Sequence, residues 1–342
     1  MENKEIYLVT GAAGNLGSSV VADLLEQGKE VRCLVLKGDP AAARLPRQAQ
    51  LRVGDVTDPA SLEGFFSDLP ADADLYVIHC AAIVTVSDTY SQKVWDVNVQ
   101  GTKNIVDQCL AHGAKRLVYV GSTSAIPELP RGQAITEVDH YDPDQVIGFY
   151  GKTKAAASQA VMDAVAQRGL DACLVFPTGI AGPDDYAFGP VAGFIVEYCQ
   201  GKMPAGVAGS FNAVDVRDLA AAIVAACKKG RRGEGYILGN QLVTMAEMFH
   251  LLSRLTGTKE VKTILPEGMG RLMGHVFDVV GAVTHKPQRM TSFAVYNLVR
   301  NNEFDCSKAR RELGFVTRPF EETLADTIEW LRRENKIGGI AV

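Results

Sequence analysis

Tyr150 and Lys154 stand four residues apart in F-Y-G-K-T-K, and a glycine-rich turn, T-G-A-A-G-N-L-G, occupies residues 10–17. Residues at i and i+4 share one face of a helix. A free phenol titrates near about 10, too high to exchange protons readily at neutral pH. An ammonium about 4–5 Å away stabilises the phenolate by about 3–4 kcal/mol at an effective dielectric near about 20. That brings the phenol toward working range as a proton donor or acceptor. The pair alone is a common helix pattern. Downstream of a glycine turn it reads as the proton-handling half of a hydride-transfer site.

The turn supplies the other half. Gly11, Gly14 and Gly17 follow an apolar strand pattern directly and open a helical one, which is the context a dinucleotide fingerprint requires. Gly11 permits the tight turn, Gly14 lets the backbone approach a pyrophosphate, and Gly17 lets the helix pack closely on the sheet. Asn15, Leu16 and Val56 are counted with the cofactor contacts. The second strand ends V-R-C-L-V-L-K-G-D, with neither an acidic reader of a ribose hydroxyl nor a basic one of a phosphate at the usual positions. Lys37 comes one residue late and inclines the expectation to NADP over NAD. Asp55, in G-D-V-T-D, suits either the adenine amino group or a turn. A third polar group must orient the substrate oxygen, and Ser122, Thr123 and Ser124 lie where the 117–120 strand ends. One of these hydroxyls is expected to do so and the other two to be structural.

These residues need strand ends to hold them. Apolar runs at 6–9, 31–36, 51–53, 75–80, 117–120 and 172–176 alternate with helical periodicities at 15–27 and about 89–111. Strands alternating with helices predict a doubly wound parallel sheet, an α/β Rossmann architecture. Residues 1–180, completed by about 211–240, are expected to form the dinucleotide-binding domain. Residues 181–210 and 241–342 are expected to form a smaller, mostly helical substrate domain.

Composition narrows the class. The chain has 342 residues, is 47% hydrophobic and carries a net charge of −5 from 35 basic and 40 acidic side chains. The charges are mixed, with no basic stripe for nucleic acid. Lys228, Lys229, Arg231 and Arg232 read as a solvated helix end. Seven scattered cysteines without C-x-x-C suit free thiols in a reducing compartment. No apolar run is long enough to span a membrane, and a cytoplasmic protein without metal is expected.

As a set, T-G-A-A-G-N-L-G, D-V-T-D (55–58), H-C-A-A (79–82), N-V-Q-G-T (98–102), S-T-S-A (122–125), Y-G-K-T-K (150–154), F-P-T-G-I-A-G-P (176–183) and V-D-V-R-D-L-A (214–220) resemble the extended short-chain dehydrogenases/reductases. That group is related to the NAD-dependent epimerases and dehydratases. The resemblance implies that Ser124 is the catalytic serine, that Tyr150 is the acid/base and that Lys154 also binds the nicotinamide ribose. It implies that Ala81 and Ala82 border the cofactor and that Pro177, Thr178 and Gly179 present backbone to its nicotinamide end. Asn98 is expected to brace the fold, and His79 to be a core residue.

Three chemistries remain open within such a family: alcohol–ketone oxidoreduction, sugar-nucleotide epimerisation and dehydration. Ala125 and Ile126 follow Ser124, where similar dehydratases carry an acidic pair. Phe211 and Asn212 stand where sugar-nucleotide enzymes place an arginine for the diphosphate, and Arg217 is not expected to reach a ligand. The Met-, Gly- and Val-rich 266–283 run, K-P-Q-R-M-T-S-F-A-V (286–295) and F-D-C-S-K-A-R-R-E-L-G-F (304–315) resemble the 3β-hydroxysteroid dehydrogenase and dihydroflavonol reductase branches. The expectation is an NAD(P)-dependent dehydrogenase/reductase for a hydrophobic, steroid- or flavonoid-like substrate, with Phe211, Met269, Met273 and Phe277 against the ligand. Sugar-nucleotide epimerase and non-catalytic dinucleotide-binding regulator are the alternatives. A homodimer through the helices at 89–111 and 149–168 is compatible with the sequence.

Overall fold

The computed structural model describes residues 3–85, 87–284 and 291–338. The start of the K-P-Q-R-M-T-S-F-A-V segment, residues 286–290, lies outside them. Twelve strands appear among the described residues. In chain order they are β1 Glu5–Thr10, β2 Glu30–Val35, β3 Gln50–Val53, β4 Asp74–His79, β5 Arg116–Val120, β6 Ala172–Pro177, β7 Gly179–Ala181, β8 Gly206–Val207, β9 Ser210–Asp215, β10 Gly235–Leu238, β11 Gln241–Thr244 and β12 Ile264–Leu265.

Seven of them form one parallel sheet in the order β10-β6-β5-β4-β1-β2-β3. Ile6, Leu8, Val77, Ile78, Val118 and Leu174 are at most 1% exposed. Strands covered on both faces read as continuous apolar runs, which is why they are visible in the sequence. The chain proceeds from β1 to β2 and β3 on one side, then crosses to β4, β5 and β6 on the other. The crevice between the ends of β1 and β4 is the switch point where such sheets bind ligands.

The helix Asn15–Glu26 buries Val20, Val21 and Leu24 against this sheet. The predicted 89–111 helix is three pieces: Gln92–Trp95, a π-helical turn Asp96–Gln100, and Gly101–Ala111. The π turn swings buried Asn98 into the space between β4 and the helix Phe149–Arg168. That helix starts at Gly148 (φ +89°) and ends at Gly169 (φ +78°), a left-handed stop that needs no side chain. Its first amide, Phe149 N–H, donates to Asp88 Oδ1 at 2.8 Å, a cap supplied from the loop after β4.

A second core collects Ile195, Tyr198, Phe249, Leu252, Phe320, Trp330 and Leu331. It is bordered by a three-stranded sheet, β11-β9-β7, and the short β12-β8 pair. Cys306, Ala309, Leu313 and Phe315, in the 241–342 segment expected with the substrate domain, pack into the first core. The helix Ser307–Leu313 covers β10 and the Val216–Lys229 helix, and its apolar residues follow that surface.

The basic cluster is also less free than expected. Arg232 donates to the carbonyls of Leu170 and Val165, and Arg231 pairs with Glu312. All seven cysteines are free thiols. Among the described residues no helix is long and apolar enough to cross a membrane.

Candidate functional site

The glycine turn sits at the switch point. Gly11 has φ +63°, and a Cβ there would lie 2.7 Å from Ala81 N and 2.9 Å from the Cys80 carbonyl carbon. The loops after β1 and β4 are thus in contact, and a side chain at position 11 would separate them. A Cβ on Gly17 would fall 2.1 Å from Gly11 O, so the helix can only start this close to the turn with glycine there. Gly14 is the N-cap and offers no side-chain cap, leaving the first amides of the helix for another acceptor. Asn15 Oδ1 is buried without a hydrogen-bond partner. Leu16 packs on the first core.

Behind the turn runs a hydrogen-bond chain. The Ala81 N–H donates to Thr10 Oγ1 (3.3 Å), Thr10 Oγ1 meets His79 Nδ1 (2.6 Å), His79 Nε2 meets Thr102 Oγ1 (3.1 Å), and Thr102 donates to the Asn98 carbonyl (2.7 Å). Thr102 spends its one proton on Asn98, so it must accept from His79; this assigns the Nε2–H tautomer. Burial, then the Lys154 charge, pushes the His79 imidazole down to about 3. His79 is the core residue expected, and among the described residues no group of side chains could hold a metal. Asn98 accepts from Ile83 N–H (2.7 Å) and donates to Ile83 O and Thr153 Oγ1, both at 3.0 Å. It braces the β4 loop against the Tyr150 helix.

Tyr150 and Lys154 occupy the first turns of that helix, and burial acts on both. Lys154 is 2% exposed; its Nζ donates to Val120 O at 2.6 Å and lies 4.6 Å from the Tyr119 ring centroid. Desolvation pulls it down to about 7. Burial pushes the Tyr150 phenol up to about 12, partly offset by a hydrogen bond with Ser122. Desolvation outweighs the Coulombic help that spacing alone suggested. The lysine is drawn to a strand carbonyl because Val120 ends its strand directly beneath it.

The three hydroxyls after β5 separate. Thr123 is buried and donates to Pro177 O (3.3 Å). Ser122 Oγ accepts from Ser124 N–H (3.2 Å) and reaches the phenol. Its contact with Tyr150 was not foreseen, since no spacing in the sequence distinguishes it from Thr123. Ser124 lines a cavity of about 210 Å³ together with Ile126, Val146, Ile147, Tyr296 and Arg300, among others. Gly151 permits this arrangement, because a Cβ there would lie 2.6 Å from Ser124 O. A larger depression of about 620 Å³, between Asn240 and Arg311, includes none of these residues.

At the other cofactor positions, Thr178 N–H donates to Leu238 O (3.1 Å) while its Oγ1 is buried and unpartnered. Pro177 ends β6 and Gly179 begins β7; a Cβ on Gly179 would lie 2.8 Å from Asn212 O. Ala82 follows Ala81 on the β4 loop and is half-buried. Asp55 Oδ1 accepts from both the amide and hydroxyl of Thr57 (2.9 and 2.8 Å), which makes it a turn residue through that oxygen. Val56 is buried and its carbonyl accepts from Asn104 (2.8 Å). Lys37 is exposed just past β2. Unpartnered Asn15 Oδ1 and Thr178 Oγ1, the bare helix start and the glycine contacts at the switch point together fit a dinucleotide lying across the sheet edge.

The helices Glu267–Thr284 and Ser292–Val299 pack against each other, and the second reaches the start of the Tyr150 helix. Phe293 presses on Gly148, where a Cβ would be 2.3 Å from the ring. Of the residues expected against the ligand, Met269 is 50% exposed, while Met273 and Phe277 are half-buried. Phe211 packs edge-on against Phe320 at 6.1 Å, its place on β9 turning it to the second core. Asn212 Oδ1 accepts from Asn240 N–H (3.0 Å). Arg217 pairs with Asp215 and Asp326 and is structural, as expected.

Comparison with known proteins agrees with this architecture. The pattern of the NAD dependent epimerase/dehydratase family matches residues 7–239. The chain is 31% identical over 336 residues to sterol demethylase protein B of Methylococcus capsulatus, covering 96% of this chain and 99% of that one. It is 29% identical over 337 residues to a putative dihydroflavonol 4-reductase of Synechocystis, covering 97% and 96%. The crystal structure of gox2253 superposes with a TM-score of 0.83 at 28% identity, covering 97% of this chain and 99% of that one. The chain therefore belongs to the NAD dependent epimerase/dehydratase family and is an NAD(P)-dependent enzyme of the extended short-chain dehydrogenase/reductase type.

Proposed function

We propose that the protein interconverts a secondary alcohol and a ketone on a hydrophobic, steroid- or flavonoid-like substrate. The observation that carries this is one wall of the Ser124 cavity: Ile126, Val146 and Ile147 stand beside the serine, with Glu128, Gln145, Tyr296 and Arg300 completing the lining. Ala125 and Ile126, both buried, stand where the acidic pair of similar dehydratases was sought. Asn212, where a diphosphate partner was sought, is buried and bonded within the fold. Two relatives matched along nearly their whole length carry sterol and dihydroflavonol names. The sugar-nucleotide enzymes among the structural neighbours, at 21–24% identity, share the fold.

In this reading Ser124 holds the substrate oxygen and Tyr150 passes its proton, with Ser122 orienting the phenol. Lys154 holds the nicotinamide ribose; an acceptor and nearby negative charge there would raise its pKa from about 7 and restore the ammonium beside Tyr150. The nicotinamide supplies or accepts the hydride when bound. Gly11, Gly14, Asn15, Leu16 and Gly17 would hold the pyrophosphate side. Asp55, Val56, Ala81 and Ala82 would line the adenosine side and the switch point, and Pro177, Thr178 and Gly179 the nicotinamide. Lys37, exposed beyond β2, favours NADP.

The test is thermal shift and turnover with steroid and flavonoid alcohols and ketones against UDP- and dTDP-sugars, each with NAD and NADP. Saturable, cofactor-dependent turnover of the first set alone is expected. Stabilisation by a UDP-sugar alone, with epimerised product, would replace this reading with the epimerase one.

A further inference from the structure

Arg300 follows the Ser292–Val299 helix, its backbone N–H donating to Tyr296 O at 2.8 Å. Its side chain lines the Ser124 cavity and is half-buried. The guanidinium carbon lies 5.9 Å from the Tyr296 ring centroid, and Nε is buried without a hydrogen-bond partner. Among the described residues the guanidinium makes no ion pair. Glu128, the acid in the cavity wall, is already used: one oxygen accepts from the Tyr296 hydroxyl and the other from the Asn301 N–H at 2.8 Å. Nearby Arg131 and Arg271 differ, since both pair with Glu267.

A guanidinium whose buried Nε lacks an acceptor is incompletely satisfied, and its planar fork matches a pair of anionic oxygens. We infer that Arg300 anchors an anionic oxygen pair on the substrate, a carboxylate held in the same cavity as Ser124. This rests on the alcohol–ketone reading of the site and narrows its substrate class to hydrophobic acids. A diphosphate offers the same oxygen chemistry. The arrangement favours the carboxylate: Arg131 and Arg271 are spent on Glu267, so the second charge of a diphosphate would lack a cation that a carboxylate does not need.

The probes are 2-naphthoate, methyl 2-naphthoate and UDP, titrated by calorimetry into the full chain saturated with NADP. Wild type is expected to bind the acid about ten- to hundred-fold more tightly than the ester, the range of one charge-assisted contact. Arg300→Met should erase that preference with NADP affinity and melting temperature unchanged, and Arg300→Lys should keep part of it. Equal binding of acid and ester, binding of neither, or a preference that survives Arg300→Met overturns the inference. UDP binding that depends on Arg300, without acid preference, reassigns the anion to a diphosphate and overturns the carboxylate. Turnover of neutral steroid alcohols, measured alongside, judges the alcohol–ketone reading separately.

Discussion

The sheet edge and its helical cover meet across one cavity but are built differently. Around the glycine turn each backbone and side chain is held by strand ends. Gly11 touches Ala81, Thr10 is tied to His79, and Asn98 spans Ile83 and Thr153. The cover touches the same site through Phe293, Tyr296 and Arg300. Within it Met269, Leu272, Val276, Val279 and Val280 remain 40–66% exposed. A parallel sheet fixes atoms through backbone pairing, which side-chain changes barely move. A helical cover fixes them through packing, which single residues can change. In the proposed reading chemistry belongs to the first region and choice of substrate to the second, and substitutions in each should separate accordingly.

The largest expected effect lies on the sheet side. Tyr150→Phe should lower kcat by about 10²–10⁴-fold, the usual worth of one acid/base group, with cofactor affinity nearly unchanged. Steady-state kinetics giving turnover near wild type would remove the phenol from its role. Lys37→Ala should weaken NADP about ten- to hundred-fold while sparing NAD; equal effects on both cofactors would make Lys37 a loop charge.

At the junction of the regions, Gly148→Ala places a side chain at φ +89° against Phe293. About 1–3 kcal/mol of strain should appear as a lower melting temperature. Pairing it with Phe293→Ala should recover the steric part and leave the backbone part. No recovery would mean that the cover does not press on the catalytic helix.

Titration distinguishes the same regions through Lys154. Its folded pKa of about 7 lies below the ordinary 10.5, so the unfolded chain binds more protons between these values. Stability without cofactor should rise from pH 7 toward 10.5. In urea melts Lys154→Met should lose that slope, and an unchanged slope would show that Lys154 is not its source. The smallest effect belongs to the exposed part of the cover. Met269→Ser should change stability by less than about 0.5 kcal/mol and leave KM unaltered, whereas Met273→Ala should raise KM. A KM change at Met269 would place it at the ligand wall.

Much of the sheet was legible. Its strands are apolar runs because both faces are buried, and the turn between β1 and its helix announces itself through glycines whose Cβ positions are filled by backbone. Asn98 as a brace and His79 as a core residue followed from the same frame. Other features have no local signature. The partner of Lys154 is a carbonyl 34 residues earlier, and the separation of Ser122 from Thr123 depends on where the helix lands.

By itself the sequence determined the fold class, the cofactor turn and the Tyr150–Lys154 face, because each rests on short-range periodicity or on a backbone conformation that only glycine allows. Tertiary structure alone decided three things: that Lys154 is desolvated and bonded to Val120, that Phe211 packs on the second core while Asn212 bonds Asn240, and that Arg300 meets Ser124 in one cavity. Desolvation and packing depend on segments distant in the chain, and no local pattern encodes which of them will meet.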